Sequence, residues 1–177
     1  MTPRVSKGYW IWGQFDLEST KQITPLHQGI NKKLCGPNFD VHLTISGPVP
    51  YQEELHTPVL ESISSRFIEF SIQLDGIGYK HEFFQSLFLN VVANKELKNL
   101  KKLIDRSFNI KRAAYFPHIS LFYGNTDKNS KIDIVNESKP PISVVLDKIS
   151  VVKVNEEIKS WKVLKTYPLL KNSTKVD

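Results

Sequence analysis

The sequence predicts an α+β fold, and three observations support this. Segments in which apolar and polar residues alternate, as in half-buried strands, recur along the chain. Longer segments between them carry apolar residues at helical spacing. Two of the predicted strands contain the same short pattern, 76 residues apart, which indicates two related lobes. We therefore expect a single domain over residues 1–177, with two pseudo-symmetric lobes of antiparallel sheet and outer helices around a central cleft.

The first half of the chain predicts two strands that alternate with two helices. They are a strand at 8–15, a helix at 16–34, a strand at 39–46 and a helix at 51–65. Asp16 is a suitable N-cap for the first helix. Pro25 lies inside that helix and predicts a break or a second helix start, because proline removes a backbone hydrogen bond. Gly47 and Pro48 predict the end of the second strand.

The second half predicts a hairpin, a helix and three further strands. The predicted elements are strands at 67–74 and 83–92, a helix at 94–108, and strands at 116–123, 142–154 and 158–167. Gly76 and Gly78 predict the hairpin turn, and Asn94 is a suitable cap for the helix. The polar segment 125–141 predicts a loop with one short helical turn.

Composition excludes several classes of protein. The 177 residues include one cysteine, Cys35, so neither an intrachain disulfide nor a cysteine-rich zinc site can form. The first seven residues lack the apolar core of a signal peptide, and no apolar run reaches the length of a membrane span. We expect a cytoplasmic monomer without membrane contact. The net charge of +6 modestly favours an anionic partner.

The repeated pattern is a histidine followed two residues later by a hydroxyl residue, with apolar neighbours. One copy holds His42 and Thr44, and the other holds His118 and Ser120. Residues i and i+2 of a strand share a face, so each copy presents an imidazole beside a hydroxyl. Two such pairs facing each other would suit a phosphodiester: the hydroxyls bind its oxygens, one histidine accepts a proton from water, and the other donates one to the leaving oxygen. This chemistry requires neither metal nor cofactor.

Two other interpretations of the histidines are open. Each imidazole could be a structural group that hydrogen-bonds locally, although two matched copies make this a weak explanation. The histidines could instead bind zinc, but the patterns contain no carboxylate that would complete a ligand set.

The motifs resemble those of the 2H phosphoesterase superfamily, and within it the plant and yeast type cyclic phosphodiesterases. The similarity extends over about residues 8–169 and includes the segments 9–12, 36–39, 83–89, 117–123 and 160–163. It implies hydrolysis of ADP-ribose 1″,2″-cyclic phosphate, which arises after tRNA splicing, and of nucleoside 2′,3′-cyclic phosphates to 2′-phosphates. It also implies that His42 and His118 are the catalytic pair and that Thr44 and Ser120 bind phosphate. Plant members carry disulfide-forming cysteines, which the single Cys35 cannot reproduce.

The resemblance also places three aromatic residues around the cleft: Trp12, Phe84 and Tyr123. Strand aromatics more often belong to the core, so each could equally be a packing residue. Lys80 and Arg112 could attract phosphate at the cleft edges, although lysine and arginine are more often solvated surface residues.

Three functions are therefore open. The first is a cyclic phosphodiesterase for small cyclic phosphates or nucleotides. The second is a related phosphodiesterase that acts on RNA 3′ ends, 2′,5′-oligonucleotides or cyclic nucleotide signals. The third is a nucleotide- or RNA-binding module without turnover. Both intact motifs argue against the third, and the scattered lysines favour a small substrate over RNA.

Overall fold

The computed structural model describes residues 7–111 and 114–172. The seven strands within these ranges are β1 (Gly8–Phe15), β2 (Leu43–Val49), β3 (Phe70–Tyr79), β4 (Leu87–Val92), β5 (His118–Phe122), β6 (Ser143–Val154) and β7 (Lys162–Pro168). The four α-helices of the described chain are α1 (Leu17–Leu34), α2 (Glu53–Ser64), α3 (Lys95–Ser107) and α4 (Lys128–Glu137). Single 3-10 turns precede β4 and β7, at Phe83–Gln85 and Ile158–Ser160.

The strands form one antiparallel system arranged as two lobes, as the sequence predicts. Their order is β1-β2-β5-β4-β3-β6-β7, and β1 also pairs with β6. The long strand β6 belongs to both lobes: its first residues pair with β3, and the remainder pairs with β1 and β7. On the opposite side the lobes meet at β2 and β5, whose register contains one pair, Leu43 and Ile119. The two histidine motifs therefore lie on neighbouring strands that diverge almost at once.

The helices cover the outside of this sheet system and bury its apolar face. Helix α1 packs on β5, α3 on β2, α4 on β3, and α2 on both α3 and β7. Both predicted caps are confirmed: the Asp16 carboxylate accepts from Ser19 N at 2.8 Å, and the Asn94 side chain accepts from Leu97 N at 2.9 Å. Fully buried aliphatic side chains, each worth about 1.5–3 kcal/mol, fill the interior; they include Ile11, Ile23, Leu43, Ile45, Leu60, Leu89, Leu100 and Ile119.

Two predicted breaks do not occur. Helix α1 continues through Pro25, and the lost hydrogen bond is offset by the buried face that Ile23 and Ile30 give the helix on either side. The predicted turn at Gly76 and Gly78 is also wrong, because both glycines lie inside β3. Gly76 has a φ of +66°, next to an irregularity in the β3–β4 register, and a Cβ on Gly78 would lie 2.6 Å from the Phe88 ring.

Other element boundaries also differ from the predictions. Strand β2 begins at Leu43, not at residue 39, and it continues through Gly47 and Pro48 to Val49. The segment 125–141 contains a ten-residue helix, α4, where one turn was predicted. Its apolar pattern is weak because its two buried residues are Lys131 and Ile134, so periodicity could not reveal its length.

Candidate active site

A cleft of about 370 Å³ lies where β2 and β5 diverge. Both motifs reach it, and aromatic side chains from several other elements complete its wall. Its lining comprises Trp10, Trp12, His42, Thr44, Ile45, Ser46, Phe84, Gln85, Lys101, Ala114, Tyr115, Phe116, His118, Ser120, Tyr123, Val154 and Trp161. The structure thus brings all seven predicted site residues into one cavity.

His42 lies immediately before β2 and is 4% exposed. Its Nδ1 lies 2.6 Å from the backbone oxygen of Asp40. The Trp12 ring stacks on the imidazole, with centroids 3.4 Å apart and planes inclined by 7°. Burial lowers the pKa of His42 to about 3, and the positive charge that His118 can carry acts in the same direction. His42 is therefore neutral at pH 7.

His118 is the first residue of β5 and is only partly buried. Its Nδ1 lies 2.9 Å from the backbone oxygen of Phe116, two residues earlier, as for His42. The Phe116 ring stacks on it more loosely, with centroids 5.1 Å apart and planes inclined by 28°. Burial lowers the pKa of His118, and the nearby charge of Lys80 contributes to the shift.

The two backbone contacts assign the tautomer of each histidine. A carbonyl oxygen can only accept, so Nδ1 must carry the hydrogen in both rings. In the neutral form, Nε2 is then the free acceptor of each imidazole. Each ring is held by its own chain segment, and the cleft receives two imidazoles that can exchange a proton at Nε2.

The hydroxyl residues differ in their surroundings. Thr44 is partly exposed, and its backbone oxygen accepts a hydrogen bond of 3.1 Å from the Tyr115 hydroxyl. Ser120 is 4% exposed and interacts with the hydroxyl of Tyr123, whose pKa burial raises to about 12. Tyr123 is therefore a neutral phenol at physiological pH, able to donate a hydrogen bond.

The aromatic residues form a connected cluster around His42. Trp161 lies edge-on to Trp12, Tyr123 and His42, with centroids 5.9, 5.8 and 6.4 Å away. Trp12 is 3% exposed and its face is covered by His42, so it supports the imidazole and is not a free stacking platform. Phe84 lies edge-on to Tyr123 at 5.2 Å.

Sequence reasoning missed Trp161 and misplaced Phe39. Trp161 precedes β7, far along the chain from both motifs, and the resemblance of segment 160–163 to the family was the signal that could have drawn attention to it. Strict alternation puts Phe39 on the face opposite His42, but its ring stacks on Tyr123 at 4.2 Å. The reason is that Phe39 lies outside β2, so the two-residue period does not apply to it.

Side chains from α3 and the segment before β5 brace the strand that carries Thr44. Lys101 Nζ donates to the backbone oxygen of Ile45 at 3.2 Å and pairs with Asp105 at 2.8 Å. The Ser46 hydroxyl donates to the other oxygen of Asp105 at 2.6 Å. Together with the Tyr115 contact, these bonds hold three consecutive residues of β2 where β5 has diverged from it. No pattern in the sequence indicated this network.

Lys80 lies beside the second motif, with its ammonium 4.1 Å from the centre of the Phe116 ring. Arg112, the other predicted phosphate attractor, lies outside the described residues. Within 7–111 and 114–172, no group of three or more His, Cys, Asp or Glu could hold a metal ion. None of the helices in those ranges is long and apolar enough to cross a membrane.

The strands thus form a closed antiparallel set that brings two histidine–hydroxyl pairs into one cleft, the arrangement that the sequence resemblance to the two-histidine phosphoesterases implies. The family model described as "Cyclic phosphodiesterase-like protein" matches residues 14–177. The chain belongs to this family, within the 2H phosphoesterase superfamily.

The chain is also similar to a plant protein in sequence and to two solved bacterial structures in fold. The cyclic phosphodiesterase of Arabidopsis thaliana is 22% identical over 165 residues, which cover 89% of this chain and 91% of the plant protein. The structure of Escherichia coli LigT complexed with 3′-AMP superposes with a TM-score of 0.63 at 15% identity, covering 92% of this chain and 98% of LigT. TT0787 of Thermus thermophilus gives a TM-score of 0.64 at 14% identity, covering 91% and 97%. These similarities confirm the predicted fold.

Proposed function

We propose that this protein hydrolyses cyclic phosphodiesters without a metal ion. The substrates are nucleoside 2′,3′-cyclic phosphates, which yield 2′-phosphates, and ADP-ribose 1″,2″-cyclic phosphate, which yields ADP-ribose 1″-phosphate. The observation that carries this proposal is the pair of imidazoles in one cleft, each with Nδ1 tied to its own backbone and Nε2 available. This arrangement suits one general base and one general acid.

The different surroundings of the histidines suggest their roles. His42 has its pKa lowered to about 3 by burial, so it is the neutral base that accepts a proton from water at Nε2. His118 is less enclosed, and the negative charge of a bound phosphodiester favours its protonated form. His118 is therefore the acid that protonates the leaving oxygen.

The reaction then proceeds by in-line attack at phosphorus. The oxygen of water forms the new bond as His42 takes its proton, and the bond from phosphorus to the 3′-oxygen breaks as that oxygen receives a proton from His118. The hydroxyls of Thr44 and Ser120 donate to the non-bridging oxygens, where negative charge accumulates. One water is consumed, and the pair of histidines returns to its starting state by proton exchange with solvent.

The size of the cleft and the known ligands of similar folds support a nucleotide substrate. A volume of about 370 Å³ falls in the usual range for small-molecule sites. The solved structures of LigT include complexes with 3′-AMP, ATP and NADP+. Seven of the seventeen lining residues are Phe, Tyr or Trp, which suits a base and a ribose better than a long polyanion.

A product assay across substrate classes tests the proposal. The purified protein is incubated with adenosine 2′,3′-cyclic phosphate, ADP-ribose 1″,2″-cyclic phosphate and a 2′,5′-linked dinucleotide, with and without a chelator, and the products are resolved by chromatography. We expect hydrolysis of both cyclic phosphates at undiminished rate in the chelator. Exclusive hydrolysis of the dinucleotide would move the assignment to an oligonucleotide phosphodiesterase. Binding without any turnover would indicate the non-catalytic module.

A further inference from the structure

Two consecutive aromatic residues on the His118 side of the cleft each have a lysine ammonium over the ring. Lys101 Nζ lies 4.6 Å from the centre of the Tyr115 ring, and Lys80 Nζ lies 4.1 Å from the centre of the Phe116 ring. The charge of Lys101 is balanced by Asp105 at 2.8 Å. Among the described residues, Lys80 has no carboxylate within salt-bridge distance, and its ammonium donates to the side-chain oxygen of Gln85 at 2.6 Å. Of these two lysines, Lys80 is therefore the one without a carboxylate partner among the described residues.

Lys80 is held firmly in this position by its backbone as well as its side chain. Its N–H donates to the backbone oxygen of Gln85 at 3.1 Å. Its backbone oxygen accepts 2.7 Å from the ammonium of Lys131, a lysine that is only 2% exposed. Because the residue is already ordered, little conformational entropy is lost when a ligand binds it.

The ammonium lies close to the reacting groups without touching them. Gln85 and Phe116 both line the cleft, and the Phe116 ring contacts both the Lys80 ammonium, 4.1 Å from its centre, and the imidazole of His118, at 5.1 Å between centroids. The ammonium is therefore within about 10 Å of the imidazole, the screening length at 0.1 M salt. Burial is the main cause of the lowered pKa of His118, and the charge of Lys80 acts in the same direction.

We propose that Lys80 and Gln85 form an anion subsite at the edge of the cleft, which binds a second phosphate group of the substrate. Gln85 uses its amide oxygen for Lys80, so its amide nitrogen supplies further donors to the same anion. The inference rests on the proposed function and narrows it. The preferred substrate class is a nucleotide that carries another phosphate besides the cyclic one, in preference to a nucleoside cyclic phosphate alone.

Equilibrium binding of two product-like nucleotides tests this subsite without relying on turnover. Titration calorimetry compares adenosine 2′-phosphate with adenosine 2′,5′-bisphosphate on the wild type, Lys80→Met, Lys80→Arg and Lys102→Met. Lys102 is an exposed lysine of α3 outside the cleft lining and controls for net charge. We expect Lys80→Met to weaken bisphosphate binding about tenfold and monophosphate binding less than twofold. Lys80→Arg should retain the preference, and Lys102→Met should not change it.

The outcomes separate the subsite from the proposed function. Equal weakening of both ligands by Lys80→Met, or a wild type without preference for the bisphosphate, would overturn the subsite. A wild type that prefers the bisphosphate but hydrolyses no cyclic phosphate would refute the proposed function and leave the subsite intact. Binding of neither nucleotide would refute both.

Discussion

The two histidine motifs share the same hydrogen bond from imidazole to backbone but differ in almost all the other surroundings of the ring. Each imidazole donates from Nδ1 to the carbonyl two residues earlier, at 2.6 Å for His42 and 2.9 Å for His118. His42, however, is 4% exposed and lies flat on Trp12. His118 is partly exposed, stacks loosely on Phe116 and has a lysine nearby. A repeat in sequence has therefore become an asymmetric pair in structure.

The different surroundings suit the two histidines to different roles, one as a general base and the other as a general acid. Tight burial disfavours the charged imidazole, so His42 is suited to the neutral state in which it accepts a proton. The more open setting of His118 lets a bound phosphodiester stabilise its protonated form. Equal environments would give both rings the same charge at the same pH, and the base and the acid would then compete for one protonation state.

Removing either imidazole should have the largest effect. His42→Ala and His118→Ala should each lower kcat for a 2′,3′-cyclic nucleotide by at least about 10³-fold, because each removes one proton-transfer group. Steady-state kinetics provides the measurement, and circular dichroism checks the fold. His81→Ala is the matched control, since His81 is exposed and lies outside the cleft lining. Near-wild-type activity in both cleft variants would refute the acid–base pair.

The two hydroxyls should differ in stability more than in catalysis. Thr44→Val and Ser120→Ala should each reduce kcat/KM about 10- to 100-fold, the usual cost of losing a hydrogen bond to a charged group. Ser120→Ala should also lower the free energy of unfolding more than Thr44→Val does, because Ser120 is 4% exposed and interacts with the buried Tyr123 hydroxyl. Denaturant unfolding measures this. Equal stability losses in the two variants would contradict the contrast between the motifs.

The stacking rings should control opposite limbs of the pH profile. A base must be neutral and an acid protonated, so kcat/KM should fall below the pKa of His42 and above that of His118. Both pKa values are lowered by burial, which places the optimum below the ordinary histidine value of about 6.5. Trp12→Leu exposes His42, so the pKa of His42 and with it the acid limb should move to higher pH. Phe116→Leu exposes His118 and should likewise move the alkaline limb to higher pH. If both variants moved the same limb, the assignment of His42 as the base and His118 as the acid would be wrong.

Removing the hydrogen bond from Tyr115 to the backbone of Thr44 should have the smallest effect. Tyr115→Phe removes one hydrogen bond to the Thr44 backbone oxygen and should lower kcat/KM about two- to tenfold. It should leave the pH profile unchanged, because neither imidazole loses a contact. Tyr9→Phe, which alters a tyrosine outside the cleft lining, is the control. A shift of either limb would show that Tyr115 acts on the histidines as well.

Local signals in the sequence were sufficient for much of the fold and for the centre of the site. The bounds of β1, the caps Asp16 and Asn94 and the two motifs all follow from residues within a few positions of each other. Failures occurred where a distant contact decided the outcome. Gly78 pairs with Phe88 of β4 and leaves room for its ring, and Trp161 reaches His42 through the path of β6 and β7.

The single backbone pair between Leu43 and Ile119 has a consequence for how such sites are recognised in other chains. Each imidazole takes its orientation from a carbonyl two residues away, and the two motif strands share almost no ladder. The number of residues between the motifs is therefore free to vary through insertions in surface segments, whose entropic cost grows only slowly with length. A search for relatives should score the two short motifs and their strand context together and give no weight to the distance between them.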